Sequence, residues 1–166
     1  GQKPQGPQPT DRTHRPETRQ LSLSRGGIDG ADEHDNVVVR VEDFDEDGFL
    51  DLLVSSYDPS EQLRLFQNNE DKTFTDVTLN AGIAGIYGGL NMVQADYNND
   101  GNLDVYILRG AWLEEFGQHP NSLLRNNGNG TFTDVAKASG VQELIFAMGC
   151  VWGDFNGDRY PDLFVS

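Results

Sequence analysis

The sequence predicts an all-β protein, and two observations lead to that fold class. An acidic nine-residue pattern recurs three times, beginning at Asp43, Asp96 and Asp154. Each copy is followed at once by a short apolar run of the kind that forms a β-strand. The copies begin 53 and 58 residues apart, and periods of this length indicate a propeller or a solenoid.

The first copy of the pattern, residues 43–51, has aspartate at positions 1, 3, 5 and 9 and glycine at position 6. So many unpaired carboxylates are costly to bury. A hard cation removes that cost, and Ca²⁺ binds about six to eight oxygen ligands of this type. A solvated acidic turn is the alternative for a single copy, but three copies favour up to three Ca²⁺ sites.

An EF-hand loop also opens with acidic positions and a glycine at position 6. Its position 12 requires a bidentate Glu, whereas this chain has Val54, Ile107 and Val165 there. Residues 37–41 precede the first loop and have strand character. We therefore expect each loop to join two strands, not two helices.

Strand-like segments follow the loops in a repeating order, and four short antiparallel strands make one propeller blade. We expect them near residues 36–43, 49–57, 62–66 and 73–77 in the first unit, and near 89–96, 103–109, 121–126 and 131–136 in the second. The units span about 36–78, 89–136 and 146–166, and the third stops after its second strand. The predicted fold is therefore a partial β-propeller of about two and a half four-stranded blades (residues 31–166), with an extended N-terminal arm (residues 1–30).

The arm is rich in Pro and Gln and poor in large apolar residues, so it cannot build its own core. Its formal charge is +2, while the rest of the chain carries −17. Only residues 20–24 alternate polar and apolar residues as a half-buried strand does. We expect this strand, through Leu21 and Leu23, to join the sheet of another copy and to build a filament, or a ring if the rotation between copies closes. The alternative is that the arm folds back on its own blades.

Composition excludes nucleic acid as a partner and a membrane-spanning segment. The formal charge of −15 repels nucleic-acid phosphates. No apolar run is long enough to span a membrane. The single cysteine, Cys150, lies in an apolar run and is expected to behave as a small core residue.

The aromatic residues allow a ranking by burial. Phe74 and Phe132 alternate with outward threonines, so we expect both to be buried between blades. Trp112 lies in an insertion, residues 110–120, and is expected to be more exposed than Trp152. That insertion either caps a hydrophobic edge or presents a ligand platform.

The recurring phrases at residues 68–77, 126–135 and 151–158 resemble the FG-GAP or VCBS repeats. These repeats are found in integrin α-subunit propellers and in relatives of cartilage acidic protein. The resemblance covers about residues 36–166 and implies a β-propeller with Ca²⁺ between the first two strands of each blade. It also implies a secreted or cell-surface protein that mediates adhesion or partner binding.

Carried over from the family, the metal ligands include the carbonyl oxygen at position 7 of each loop. The implied set is Asp43, Asp45, Asp47, Phe49 and Asp51; Asp96, Asn98, Asp100, Asn102 and Asp104; Asp154, Asn156, Asp158, Tyr160 and Asp162. Arg159 departs from the pattern because it replaces the glycine at position 6. A residue other than glycine is strained at positive φ, so the third site is expected to be the weakest.

The expected function is that of a non-enzymatic, extracellular, calcium-binding module for adhesion or self-assembly with a protein or glycan partner. The alternatives are a fragment of a larger propeller and a non-catalytic domain of a polysaccharide-active enzyme. Asn129 begins an Asn-Gly-Thr sequon on a predicted hairpin turn. It is therefore either a glycosylation acceptor or simply a residue that suits a tight turn.

Overall fold

The computed structural model describes residues 20–24, 27–29, 37–56, 61–109, 119–145 and 148–166. Within them, all regular structure is β-strand, as the sequence predicts. No helix in this part of the chain is long and apolar enough to cross a membrane. Trp112 and most of its insertion lie outside the described residues, so the ranking of the two tryptophans stays a prediction.

In the described part of the chain, twelve strands form three antiparallel sheets. The first sheet contains β1 (Gln20–Ser24), β2 (Gly27–Asp29), β3 (Val37–Glu42), β4 (Asp51–Ser56), β5 (Arg64–Asn68) and β6 (Thr73–Asp76). The second contains β7 (Asn91–Ala95), β8 (Asp104–Leu108), β9 (Ser122–Asn126) and β10 (Phe132–Asp134). The third contains β11 (Cys150–Gly153) and β12 (Asp162–Val165).

From β3 onwards the strands of each sheet pair in chain order, whereas β1 and β2 are added at the β6 edge of the first sheet. The order is β3-β4-β5-β6 within the first sheet and β7-β8-β9-β10 in the second. The acidic loops join β3 to β4, β7 to β8 and β11 to β12, so the EF-hand alternative is wrong. As far as the structure describes them, all three sheets are open.

The N-terminal strand β1 is used within its own chain. It pairs antiparallel with β6, where Leu21 lies opposite Phe74, and β2 then extends the same sheet. This topology corrects the expectation that β1 joins another copy, because the edge of β6 in the same chain already accepts it. It matches the alternative in which the arm folds back. The side chains of Leu21 and Leu23 lie outside the described part of the chain.

The main core lies between the first and second sheets. Leu53 and Leu65 of the first sheet face Val105, Ile107 and Phe132 of the second, and all five are at most 6% exposed. Burying each such side chain contributes roughly 1.5–3 kcal/mol to folding. Phe44, in the first acidic loop, packs edge-on against Phe132 with ring centroids 5.6 Å apart.

The second core lies between the second and third sheets. Tyr106 and Leu108 alternate with the residues that face the first sheet, and they pack against Trp152 and Leu163. Strand β8 is therefore buried along its whole length. Cys150 packs into this core, as predicted, and is partly buried.

Phe74 is buried, but not between two of these sheets. It packs with Leu52 and Phe66, whereas their neighbours Leu53 and Leu65 face the second sheet. Successive side chains of a strand point to opposite faces, so Phe74 lies on the outer face of the first sheet. The prediction of burial between blades is confirmed for Phe132 and corrected for Phe74.

Candidate metal centre

The three acidic loops connect corresponding strands, and the same short hydrogen bonds organise each loop. In the first loop, residues 43–50, the carboxylate of Asp43 accepts the amides of Asp47 (3.0 Å) and Gly48 (2.9 Å). Asp47 in turn accepts the amide of Phe49 at 2.8 Å. The loop thus folds around its own aspartates.

The second and third loops, residues 96–103 and 154–161, repeat this arrangement. Asp96 accepts the amides of Asp100 (3.0 Å) and Gly101 (2.9 Å). In the third loop, Asp154 accepts the amides of Asp158 (3.1 Å) and Arg159 (3.0 Å). Three loops of different composition therefore share one backbone conformation.

The conformation requires positive φ at positions 4 and 6 of every loop. Position 6 has φ angles of 93° in Gly48, 95° in Gly101 and 73° in Arg159. The third loop instead has its glycine at position 4, where Gly157 has φ of 79°. Each loop therefore relieves one of its two left-handed positions with glycine. The departure noted at Arg159 is a real backbone strain.

The aspartate at position 9 is the most buried acid of the first two loops. Asp51 is 2% exposed and accepts the amides of Asn68 (2.9 Å) and Phe44 (3.3 Å). Asp104 is 0% exposed and accepts the amides of Asn126 (2.8 Å) and Tyr97 (3.3 Å). These carboxylates fix the loops to the next strands of their sheets.

Burial raises the pKa of Asp51 and of Asp104 to about 6 in each case. The amide hydrogen bonds oppose this shift, while the charges of the neighbouring loop aspartates, Asp45 and Asp47 beside Asp51, add to it. A buried carboxylate surrounded by further carboxylates is a position where a bound cation lowers the free energy.

The first loop fits a Ca²⁺ ion in its dimensions. Carboxylate oxygens of Asp43, Asp45 and Asp51 lie within 4.8 Å of one another. Ca²⁺–oxygen bonds are about 2.3–2.6 Å long, so oxygens that share one ion lie at most roughly 5 Å apart. Three of the five ligands expected for this loop are thus brought together, and Asp47 lies outside that trio.

The second and third loops have an amide at position 3. Asn98 donates to Asp100 at 2.8 Å, and Asn156 donates to Asp158 at 3.0 Å. Each Asn oxygen also accepts the amide of position 5, at 3.1 and 2.8 Å. These loops therefore offer three carboxylates and one neutral oxygen, where the first loop offers four carboxylates. The carbonyl oxygens of Phe49, Asn102 and Tyr160 stay predicted ligands.

Two segments of the chain, residues 43–107 and 111–165, match the FG-GAP-like repeat family. The chain belongs to this family. The three acidic loops lie within the matched segments, so the resemblance inferred from them is confirmed.

Cartilage acidic protein 1 of Xenopus tropicalis is a relative of this FG-GAP-like chain. The two are 34% identical over 109 residues, which cover 61% of this chain. The chain spans about 15% of the length of that relative.

The FG-GAP loops have supporting residues that sequence reasoning missed. Gln67 donates a hydrogen bond from its side-chain nitrogen to Asp45. Asn126 is 3% exposed and donates from Nδ2 to the carbonyl oxygen of Phe44 at 3.1 Å. The repetition of Asn-Asn at 68–69 and 126–127 was the available signal, because it marks the same position in both repeats.

A cavity of about 180 Å³ lies beside the first FG-GAP loop. Its lining combines residues of that loop with Asn129, Gly130 and Thr131 of the second repeat. Asn129 is exposed, and its side-chain oxygen accepts the hydroxyl of Thr131 at 2.6 Å. Asp71 makes the same contact with Thr73 in the first repeat, so turn geometry alone accounts for this bond.

Proposed function

We propose that this FG-GAP chain is a non-enzymatic, Ca²⁺-stabilised extracellular module that mediates adhesion or assembly. The observation that carries the proposal is the common hydrogen-bonded conformation of the three acidic loops. Each sheet is then one blade of a partial β-propeller, of which the third blade contributes two strands.

Up to three ions would be held by the aspartates, asparagines and position-7 carbonyl oxygens named above. The buried carboxylates of Asp51 and Asp104 support this assignment, because an ion would compensate charge that the fold otherwise disfavours. Ca²⁺ would act as a structural cross-link between the first two strands of each blade.

The non-enzymatic character is part of the proposal. Within the described residues, the carboxyl groups with raised pKa values are Asp51 and Asp104, and both belong to acidic loops. An acid–base catalyst would need an uncommitted pair in a cleft. A non-catalytic domain of a polysaccharide-active enzyme and a piece of a larger propeller are the alternatives.

An extracellular location fits the chemistry of the loops. Calcium sites of extracellular modules bind with dissociation constants of about 10⁻⁴–10⁻³ M, which match millimolar external Ca²⁺. The relative of this chain is named for cartilage. In a secretory eukaryote, the exposed Asn129 would be a glycosylation acceptor.

Isothermal titration with CaCl₂, after treatment with chelator, tests the proposal. We expect three ions per chain, and two after Asp43→Ala, which removes the residue that organises the first loop. The matched control Asp71→Ala changes an exposed aspartate in a hairpin turn and should leave the stoichiometry at three. Absence of heat above that of injecting CaCl₂ into buffer alone would refute calcium binding.

The partner is proposed to be a protein, in the first instance another copy of the chain. The outer face of the third sheet supports this, because Val151 and Phe164 are cross-strand neighbours and are 51% and 55% exposed. Sedimentation velocity in Ca²⁺ should show association that Phe164→Ser abolishes. A monomer at all concentrations would leave a different protein or a glycan as the partner, to be sought on immobilised arrays.

A further inference from the structure

One hairpin of the second sheet touches two of the acidic loops. This bridging hairpin, residues 126–132, joins β9 to β10. Its contacts with the first loop are the buried bond from Asn126 to Phe44 (3.1 Å) and the ring contact between Phe132 and Phe44. A Cβ atom added to Gly130 would also lie 3.3 Å from the Cβ of Asp45.

The same hairpin contacts the second loop. The backbone amide of Asn126 donates to Asp104 at 2.8 Å. A Cβ atom on Gly128 would lie 2.9 Å from the side-chain oxygen of Asn102. Asn126 therefore binds a ligand residue of the second loop through its backbone. Through its side chain it binds the residue between two ligands of the first loop.

The corresponding hairpin of the first sheet provides an internal comparison. Asn68 makes the equivalent backbone bond to Asp51, but its side chain turns to Leu50 of the same loop. Glu70 and Lys72 adopt φ angles of 64° and 74°, which match the 69° and 72° of Gly128 and Gly130. The turn itself thus accepts larger residues. Gly128 and Gly130 are glycines because a larger side chain at either position would contact one of the two acidic loops.

We propose that Asn126 couples the first two calcium sites, so that an ion in either loop raises the affinity of the other. This proposal rests on the calcium binding proposed above. An ion in the first loop would order Phe44 and, through the buried bond, the bridging hairpin. The backbone amide of Asn126, which binds Asp104, would then already be ordered. The entropy cost of ordering the hairpin would therefore arise only once for the two ions. The coupling must be reciprocal.

The experiment is a thermodynamic cycle in a background with Asp158→Ala, which disables the third loop. Calcium affinity of the first loop is measured by titration with and without Asp100→Ala, which disables the second loop. With Asn126 present, loss of the second site should weaken the first on the order of five-fold or more. With Asn126→Ala, the same loss should change the first affinity by less than about two-fold.

Asn68→Ala is the matched control. The side-chain oxygens of Asn68 and Asn126 each accept the backbone amide two residues ahead, at 3.0 Å. Asn126 differs from Asn68 because its side chain also binds the acidic loop of the neighbouring sheet. Asn68→Ala should therefore keep the coupling. If Asn126→Ala does not fold, Gly130→Ala applies the test at the second contact between the hairpin and the first loop, beside Asp45, and should reduce the coupling to less than about two-fold. Gly140→Ala, at φ of 73° with open space around it, controls for backbone strain.

The outcomes separate the two proposals. If no variant binds Ca²⁺, the proposed function fails. If two ions bind with affinities that are independent, or that oppose each other, the function stands and the coupling is wrong. Hydrogen exchange gives a second readout, because an ion in the first loop should slow the amides of residues 126–131 even when Asp100→Ala has disabled the second.

Discussion

Two backbone positions of each acidic loop have positive φ, and Arg159 is the strained one of the third loop. Its φ of 73° occupies a region that costs an L-residue roughly 1–2 kcal/mol relative to glycine. Its backbone carbonyl accepts a bond from Asn99 at 3.2 Å, which links the second and third loops and does not depend on the side chain. The arginine is therefore replaceable without loss of that contact.

We expect Arg159→Gly to raise the stability of the chain by about 1 kcal/mol, because glycine relieves the strain at positive φ. Arg159→Ala removes the same charge but keeps the strain, so it serves as the control. The measurement is urea unfolding of all three proteins in the presence of chelator. Equal stability of the Gly and Ala variants would show that backbone strain does not govern this position.

Cys150 illustrates the effect of burial on a single thiol. Burial raises the pKa of Cys150 to about 11, from an ordinary value of 9.0. The folded state thus favours the neutral thiol. Its contribution to stability is fully present below about pH 9 and is lost as the pH rises through about 11.

The native thiol should accordingly react slowly with iodoacetamide at pH 8. A two-unit rise in pKa lowers the thiolate fraction on the order of 100-fold. Mass spectrometry of alkylated protein, native and in concentrated urea, gives the two rates. Similar rates would mean that Cys150 is not held in the core between the second and third sheets.

At the level of elements, the three loops share a conformation but not a charge. The first loop has four aspartates, while the second and third have three and an asparagine at position 3. The third also has Arg159 within the loop. Since Ca²⁺ affinity rises with ligand charge, the first loop should contribute most to stability through its ion.

Asp47→Ala should therefore lower the melting temperature in Ca²⁺ more than Asp158→Ala. The two residues occupy the same position and accept equivalent amide bonds at 2.8 Å, so each controls for the other. In excess EDTA that order should not persist, because without the ion Asp158 accepts one hydrogen bond more than Asp47, from the side chain of Asn156. Circular dichroism melting curves in both buffers give the answer, and an equal loss in Ca²⁺ would contradict the ranking of the sites.

At the level of the whole molecule, three sheets share two cores, and the second sheet lies between the other two. Strand β8 faces both cores, so its five residues are all buried. The acidic loops lie at the ends of these packed strands. Metal binding and core packing therefore stabilise the same folded state.

Chelation should lower the melting temperature of the chain markedly. For a dissociation constant of about 10⁻⁴ M, about 10 mM Ca²⁺ adds roughly 2.7 kcal/mol per site, or about 5–10 °C for a chain of this size. Mg²⁺ at the same concentration is the control, because it prefers a smaller octahedral site. Superimposed curves in EDTA and Ca²⁺ would mean that the loops are only acidic turns.

The sequence alone determined the all-β class, the position of the three loops and most strand boundaries. The prediction of strands near 103–109 and 121–126 corresponds to Asp104–Leu108 and Ser122–Asn126. These features are local, because turn residues and two-residue alternation act within a few positions of the chain. The strained φ of Arg159 was also predictable for this reason.

Only the tertiary structure decided which surfaces meet. It paired β1 with β6 of its own chain, placed Phe74 on the outer face of the first sheet and brought Asn126 against Phe44. Residues 44 and 126 are 82 positions apart. The physical reason is that the alternation of apolar and polar residues shows that a strand has an apolar face. It does not show which other segment covers that face. Contacts between distant segments depend on how the sheets stack.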